Sequence, residues 1–225
     1  MLPAICFLIT LAIYYGVKKL YRVHPKPYLT PLLITPVIVV AVLLLSRTPY
    51  PTYRSGAHWI SDMIGPATVA LAVPIYKNLH VFKKHAFVIV TSVLFGSTVA
   101  ILTSAGLAKV LHLSNQLIES IAPRSATTPI AMSISRMTGG IPTVTAILVL
   151  ATGLLGMMFG PAVIRACRIR NEVARGVLFG TGAHTAGTSK AFEFGAVAGS
   201  ISSIAMILTA FFTVFSMPWV LRWFL

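Results

Sequence analysis

Two polar stretches interrupt an otherwise apolar chain, and they hold the side chains able to do chemistry. The first is Pro-Arg-Ser-Ala-Thr-Thr-Pro-Ile-Ala, residues 123–131. Thr128 followed by Pro129 reads as a helix start. A hydroxyl there caps free N–H groups, and proline is tolerated because its missing N–H would be unpaired anyway. A helix start carries about half a positive charge. Arg124, Ser125, Thr127 and Thr128 surround this one with donors, which suits a small anion. The competing reading is an ordinary helix cap at a membrane surface.

The second stretch is Arg175–Ala191, which contains Gly180-Thr-Gly-Ala-His-Thr-Ala-Gly-Thr188. His184 and Lys190 are the ionisable residues between Arg175 and Glu193. An ionisable group inside a membrane points to function, and a histidine titrates near neutral pH, which suits proton coupling. Alternatively, His184 bonds a carbonyl freed by a broken helix. Gly180, Gly182 and Gly187 permit unwinding and close backbone approach, and Thr185 and Thr188 add hydroxyls. The expected substrate-binding set is therefore Arg124, Ser125, Thr127, Thr128, Pro129, His184, Thr185, Gly187 and Thr188, with the anion before Thr128 and facing Thr185–Thr188.

A third, weaker stretch is Ser61–Tyr76. Gly65, Pro66 and Thr68 mark a break there, and Asp62 is a second proton-coupling candidate or else an interfacial carboxylate. Glu193 follows Lys190 by three residues and reads as its surface ion-pair partner; Glu119 and Glu172 read as loop residues. A hydrolase pairing Ser125 with His184 lacks both a nucleophile elbow and an acid to orient the histidine. The lone histidines have no zinc-ligand spacing, and there is no P-loop. No enzymatic activity, cofactor or metal is expected.

The elements that carry these stretches are set by composition. Of 225 residues, 56% are hydrophobic and only 10% charged, against about 25% in ordinary soluble domains. A chain this short has no core large enough to hide so much apolar surface, so lipid must be its outer solvent. The charge is lopsided, with 18 Lys and Arg against 4 acids. The basic residues cluster in short loops between apolar runs, the pattern of membrane proteins rather than of nucleic-acid binders. Cys6 and Cys167 suggest no disulfide framework. Four uncharged runs are long enough to span: Leu29–Ser46, Ala86–Ala108, Ile141–Ile164 and Phe194–Leu221. Leu2–Leu20 qualifies as a retained first helix, since no basic region precedes it and no cleavage site follows.

Loop charges then constrain the path. Loops 18–27, 77–85 and 165–175 carry four, three and four basic residues and should share the cytoplasmic face. With every segment crossing once, the first and last of these would fall on opposite sides. A segment between Ala108 and Ile141 must therefore be re-entrant, or two short pieces must cross together, and Ser125–Pro129 is the candidate. The expectation is an all-α polytopic membrane protein of about seven to eight segments, residues 1–225 forming one transmembrane domain with its N-terminus outside. Thr30-Pro31 and Ile141-Pro142, and likewise Gly65-Pro66 and Gly180-Thr-Gly182, recur about 110–115 residues apart. That spacing suggests inverted repeat halves, 1–111 and 112–225, as in many secondary transporters.

Taken in order, Thr30-Pro31-Leu-Leu, Gly65-Pro-Ala-Thr-Val-Ala-Leu-Ala-Val-Pro-Ile-Tyr76, Ser125-Ala-Thr-Thr-Pro-Ile-Ala131, Gly139-Gly-Ile-Pro142 and Gly180–Thr188 resemble the LrgB/CidB family over nearly the whole chain. The resemblance implies antiholin-like membrane proteins that modulate murein hydrolase activity and cell lysis, paired with a small LrgA/CidA-type partner. It also implies kinship with a plastid translocator of glycolate and glycerate, and with bacterial members linked to pyruvate uptake. The expected function is secondary, proton-coupled transport of a small monocarboxylate across the bacterial cytoplasmic membrane, by a homo-oligomer in contact with lipid. The alternative is the lysis-regulator role.

Overall fold

The computed structural model describes residues 2–24, 29–70 and 72–224. Pro25–Tyr28, including Lys26 of the first basic loop, lie outside the described residues. Among the described residues all regular structure is helical, and the chain divides into two compact units, Met1–Ala72 and Val73–Leu225.

The first unit contains α1 (Leu2–Val23), α2 (Pro31–Leu45), α3 (Tyr50–Asp62) and α4 (Ile64–Ala70). Pro31 opens α2, where a missing N–H is harmless. Helix α1 packs on both α2 and α3, and Gly56 of α3 presses so close to the Pro3 carbonyl that a Cβ would collide with it. The break expected in Ser61–Tyr76 falls at Met63, between α3 and α4.

The second unit begins within α5 (Ala72–Lys77) and continues with α6 (Leu79–Val110), α7 (Asn115–Ile121), a 3-10 turn (Ala122–Ser125), α8 (Thr128–Thr138), α9 (Pro142–Ala166), α10 (Glu172–Phe194) and α11 (Ala196–Phe224). Glu119 and Glu172 are thus helical, within α7 and at the first position of α10, rather than loop residues. Helices α6 and α11 form the spine and run parallel. Ile89 and Val93 pack with Ile201, Ile204 and Ala205 near their N-terminal ends. The Ser97 hydroxyl donates to that of Thr209 at 3.4 Å midway. Ile101, Ala105 and Ala108 meet Met217 and Leu221 near the C-terminal ends.

Two re-entrant hairpins lean on this spine. In the first, the chain enters from the end of α7 through the 3-10 turn and α8 returns. Gly139 ends α8 in the left-handed region at φ 100°, which glycine adopts without a Cβ penalty. A side chain there would strike the Glu119 carboxylate. The Ser120 hydroxyl accepts from the Ile141 N–H at 2.7 Å, and the Ser120 carbonyl accepts from the Thr145 hydroxyl at 2.9 Å. Both feet of the hairpin therefore stand at the start of α9, and the segment between α6 and α9 is re-entrant as the loop charges required.

The second hairpin is α10 itself. Its backbone leaves helical geometry at His184 (φ 38°, ψ −126°), and the two arms fold against each other. The Phe179 and Phe194 rings lie 5.6 Å apart, although fifteen residues separate them. A Cβ at Gly187 would collide with the Phe179 carbonyl, so glycine is what lets the arms close. The Glu172 carboxylate sits beside Gly195, which brings both ends of α10 to the same level. Pairing with α11 gives the same answer. Gly176 meets Ala198 and Ile201, and Gly180 meets Ser202 and Ala205, so the first arm runs parallel to α11. Thr188 meets Ser202 and Gly199 meets Phe192, so the second arm runs antiparallel. A straight α10 would bring its start to the far end of α11.

The two hairpins enter from opposite ends of α9, and each is followed by a long helix. Tip and helix recur inverted, with 59 residues between Ser125 and His184 and 54 between Pro142 and Ala196. This spacing within residues 115–224 is about half that read from the sequence.

Among the described residues, five stretches are long and apolar enough to cross a bilayer: Pro3–Val23, Tyr50–Lys77, Leu79–Val110, Pro142–Ala166 and Ala196–Phe224. Many large apolar side chains on them face outward, among them Leu8, Val69, Phe95, Leu150 and Phe215. Together with α2 and the two hairpins, they make the chain a polytopic helical membrane protein.

Candidate functional site

The tips of the two hairpins meet α9 at a single turn. In the first, Pro123 begins the change of direction, and Ala126 (ψ 172°) and Thr127 (ψ 149°) are extended before α8 starts. This turn throws Arg124 back between two long helices. Its Nε donates to the Ser104 hydroxyl of α6 at 2.8 Å, and its Nη1 to the Thr152 hydroxyl of α9 at 3.3 Å. Each hydroxyl spends its own hydrogen on a carbonyl of its helix, Ser104 on Ala100 and Thr152 on Leu148. Both therefore turn lone pairs towards the guanidinium.

In the second hairpin, the His184 ring reaches the same turn of α9. Its Nε2 lies 3.0 Å from the Val149 carbonyl oxygen. A carbonyl has no proton to give, so Nε2 is the donor and the tautomer follows. Val149 and Thr152 are three residues apart and share a helix face, so the two hairpins touch neighbouring groups. Ala126 and Ala131 close on Val149 from the first hairpin's side. Gly153, Gly156 and Gly160 admit His184, Ala183 and Phe179 from the second. At 1.5 Å per residue, Thr152 lies about 15 Å along α9 and Ser104 about 9 Å from the end of α6. Both depths are inside a hydrocarbon layer roughly 30 Å thick.

The remaining expected residues divide into those at the tips and those spent on packing. Ser125 is 3% exposed, and its hydroxyl has no partner among the described residues. Thr127 takes the cap position of α8 that the sequence assigned to Thr128. No side chain caps that helix, so its first N–H groups are left open. Thr128 and Pro129 are its first two residues, Thr128 partly exposed and Pro129 exposed. On the second hairpin, Thr185 is exposed, with its hydroxyl 3.5 Å from the Met206 sulfur. Thr188 is engaged with the Ser202 hydroxyl at 2.9 Å, and Gly180 and Gly187 serve arm packing. Gly182 faces open space. Lys190 and Glu193 form the expected ion pair at 2.5 Å.

In the first unit, Asp62 is exposed and 3.8 Å from His58 Nε2. Gly65 and Pro66 lie in the first turn of α4. The side chain of Thr68 lies outside the described residues.

Sequence reading missed Ser104, Thr152 and the Val149 carbonyl, which hold the two tips. They sit in unbroken helix and give no local signal. The Gly153-x-x-Gly156-x-x-x-Gly160 spacing on α9 was the one available hint of a close-packed face.

The family model described as "LrgB-like family" matches residues 10–223. The chain is 52% identical to uncharacterized protein YwbG of Bacillus subtilis (strain 168), over 95% of each chain. It is 38% identical to YxaC of the same organism, over 92% of this chain and 90% of that one. Holin-like protein CidB of Staphylococcus aureus (strain N315) is 34% identical over 90% of this chain and 89% of its own. No solved structure matches.

Proposed function

Starting from a chain that belongs to the LrgB-like family, we propose that it carries a small monocarboxylate, of the glycolate, glycerate, lactate or pyruvate type, across the bacterial cytoplasmic membrane. One observation carries this reading: a half-buried arginine held by two hydroxyls where two re-entrant hairpin tips meet inside the membrane. A carboxylate leaving water needs replacement donors. The guanidinium, the unpartnered Ser125 hydroxyl and the open first turn of α8 supply them together. A helix cap at the membrane surface would need no such arginine anchor. His184 touches the same turn of α9 and is the group through which proton coupling would run. With loops 18–27, 77–85 and 165–175 cytoplasmic, the N-terminus lies outside.

The direct test is uptake of labelled pyruvate, lactate or glycolate into proteoliposomes of the purified protein. Uptake that is saturable, faster with an inward proton gradient, and tenfold to a hundredfold lower in Thr128→Val supports the reading. The exposed Thr98, whose hydroxyl bonds only its own helix at Leu94, is the control position. Equal losses in Thr128→Val and Thr98→Val would reduce Thr128 to a helix-start residue.

A second reading follows from relatives named holin-like. In it the protein, alone or with a small LrgA/CidA-type partner, regulates murein hydrolase activity and lysis. Release of entrapped dyes of graded size from the same proteoliposomes separates the two, because a lesion passes neutral dyes that a carboxylate site excludes.

A further inference from the structure

A cleft of about 560 Å³ opens between α6 and the first arm of α10. One wall is a single face of α6, from His85 through Ser92 and Gly96 to Ala100; the other runs from Asn171 through Ala174 to Thr181 and Gly182. At 1.5 Å per residue, His85 to Ala100 is about 22 Å, from the foot of the α10 hairpin nearly to its tip. Four features make this more than a groove between helices. Its outer end, the mouth, is formed by His85 and Asn171, next in the chain to exposed cations: Lys83 and Lys84 in the first turns of α6, Arg165 at the end of α9, and Arg168 and Arg170 in the loop before α10. No carboxylate lines it. Its inner end holds the Thr181 hydroxyl, buried and without a partner among the described residues. Ala100, the last residue on the α6 wall, is one turn from Ser104, which anchors Arg124.

We infer that this cleft is the route by which a small anion passes between the basic-loop face of the membrane and Arg124. The inference rests on the transport reading above and adds a path to it. The cations at the mouth concentrate anions there, and a low-dielectric channel wall strengthens that pull. Asn171, at the outer end of the cleft, caps α10 by accepting the Val173 N–H on its Oδ1 at 2.7 Å, so its amide N–H groups are not spent on the cap. Thr181 then offers the last hydroxyl before the guanidinium. The α8 hairpin enters from the other end of α9, so the cleft serves one face only. Its existence describes a conformation open towards the basic loops.

Gly182 is the position for a test. A Cβ there meets nothing within 4 Å, so a larger side chain can start into the cleft without a clash at its first atom. In proteoliposomes Gly182→Phe should lower carboxylate uptake at least tenfold, with its thermal unfolding midpoint unchanged. Single cysteines give a readout independent of turnover. In a Cys6→Ala, Cys167→Ser background, Gly182→Cys and Ser92→Cys should react with a membrane-impermeant, negatively charged thiol reagent added on the side of loop 165–175. They should react several-fold more slowly with a positively charged one. Wild-type uptake in Gly182→Phe overturns the route. So does labelling only from the opposite face, or from neither face, as a lipid-filled groove would give. A wild-type protein that carries no carboxylate while labelling as described overturns the transport reading instead and leaves an aqueous cleft to explain.

Discussion

The first hairpin turns through Pro123 and the extended pair Ala126–Thr127, and it places a charge, three hydroxyls and an open helix start at its tip. The α10 hairpin turns at one residue, His184, and its arms press together through Gly187. The first is loosely wound and chemically open, with the hydroxyl of Ser125 unpartnered. The second is tightly packed, with Thr188 bonded to Ser202 and His184 bonded to α9. The difference suggests a division of labour. On the transport reading proposed above, the α7–α8 tip would supply the donors for the anion and the α10 tip a shaped wall beside it. In lipid, exposed backbone is tolerated only where protein or a wet cavity satisfies it. The α10 hairpin uses protein, and the first would use the proposed site.

Six substitutions at three positions bear on that contrast. Arg124→Ala should have the largest effect, lowering uptake about a hundredfold or more, since a bidentate guanidinium–carboxylate pair would supply two charge-assisted hydrogen bonds of about 1.5–3 kcal/mol each. Arg124→Lys keeps the charge but not the fork and should fall between. Uptake unchanged in both would remove the first tip from recognition. Next, His184→Gln should flatten the pH dependence of uptake between about pH 5 and 8. A mutant whose profile follows the wild type would leave His184 a purely structural residue.

The third effect concerns backbone. A φ of 38° is costly for a residue with a Cβ, at about 1–3 kcal/mol. His184→Gly and His184→Ala both lose the bond to Val149, but only glycine relieves that strain. The glycine variant should unfold at the higher temperature, by the equivalent of about 1 kcal/mol. Identical midpoints would show that the tip is not strained. The smallest effect is at Thr188. Thr188→Val keeps the shape and loses the bond to Ser202, which should cost about 1 kcal/mol of stability and leave uptake within a factor of two or so. A hundredfold loss of uptake there would place the anion against the second arm and undo the division proposed.

Much was legible in the chain because the membrane makes some statements local. Twenty apolar residues without a charge are a spanning helix wherever they occur, so Ala86–Ala108, Ile141–Ile164 and most of Phe194–Leu221 were readable directly. Gly, Pro and Thr runs cannot sit unsatisfied in hydrocarbon, so the stretches that hold the three breaks were readable too, although two breaks fall at Met63 and His184 rather than at Gly65-Pro66 and Gly180–Gly182. Charge parity across loops, which counts crossings rather than contacts, was enough to demand the re-entrant segment at Ser125–Pro129.

What the chain alone left open was the outcome at each break. Gly180, Gly182 and Gly187 say that α10 can bend near His184, but a kink of 30° and a full reversal need the same permissive residues. The reversal is decided by α11, whose Ala198, Ser202 and Ala205 offer a face shallow enough to cover both arms at once. In the same way nothing near Arg124 in the chain names Ser104 or Thr152, 20 and 28 residues away on unbroken helices. Breaks are written in local backbone chemistry; the partners that hold a broken segment are set by packing between helices, which exists only once the helices have assembled.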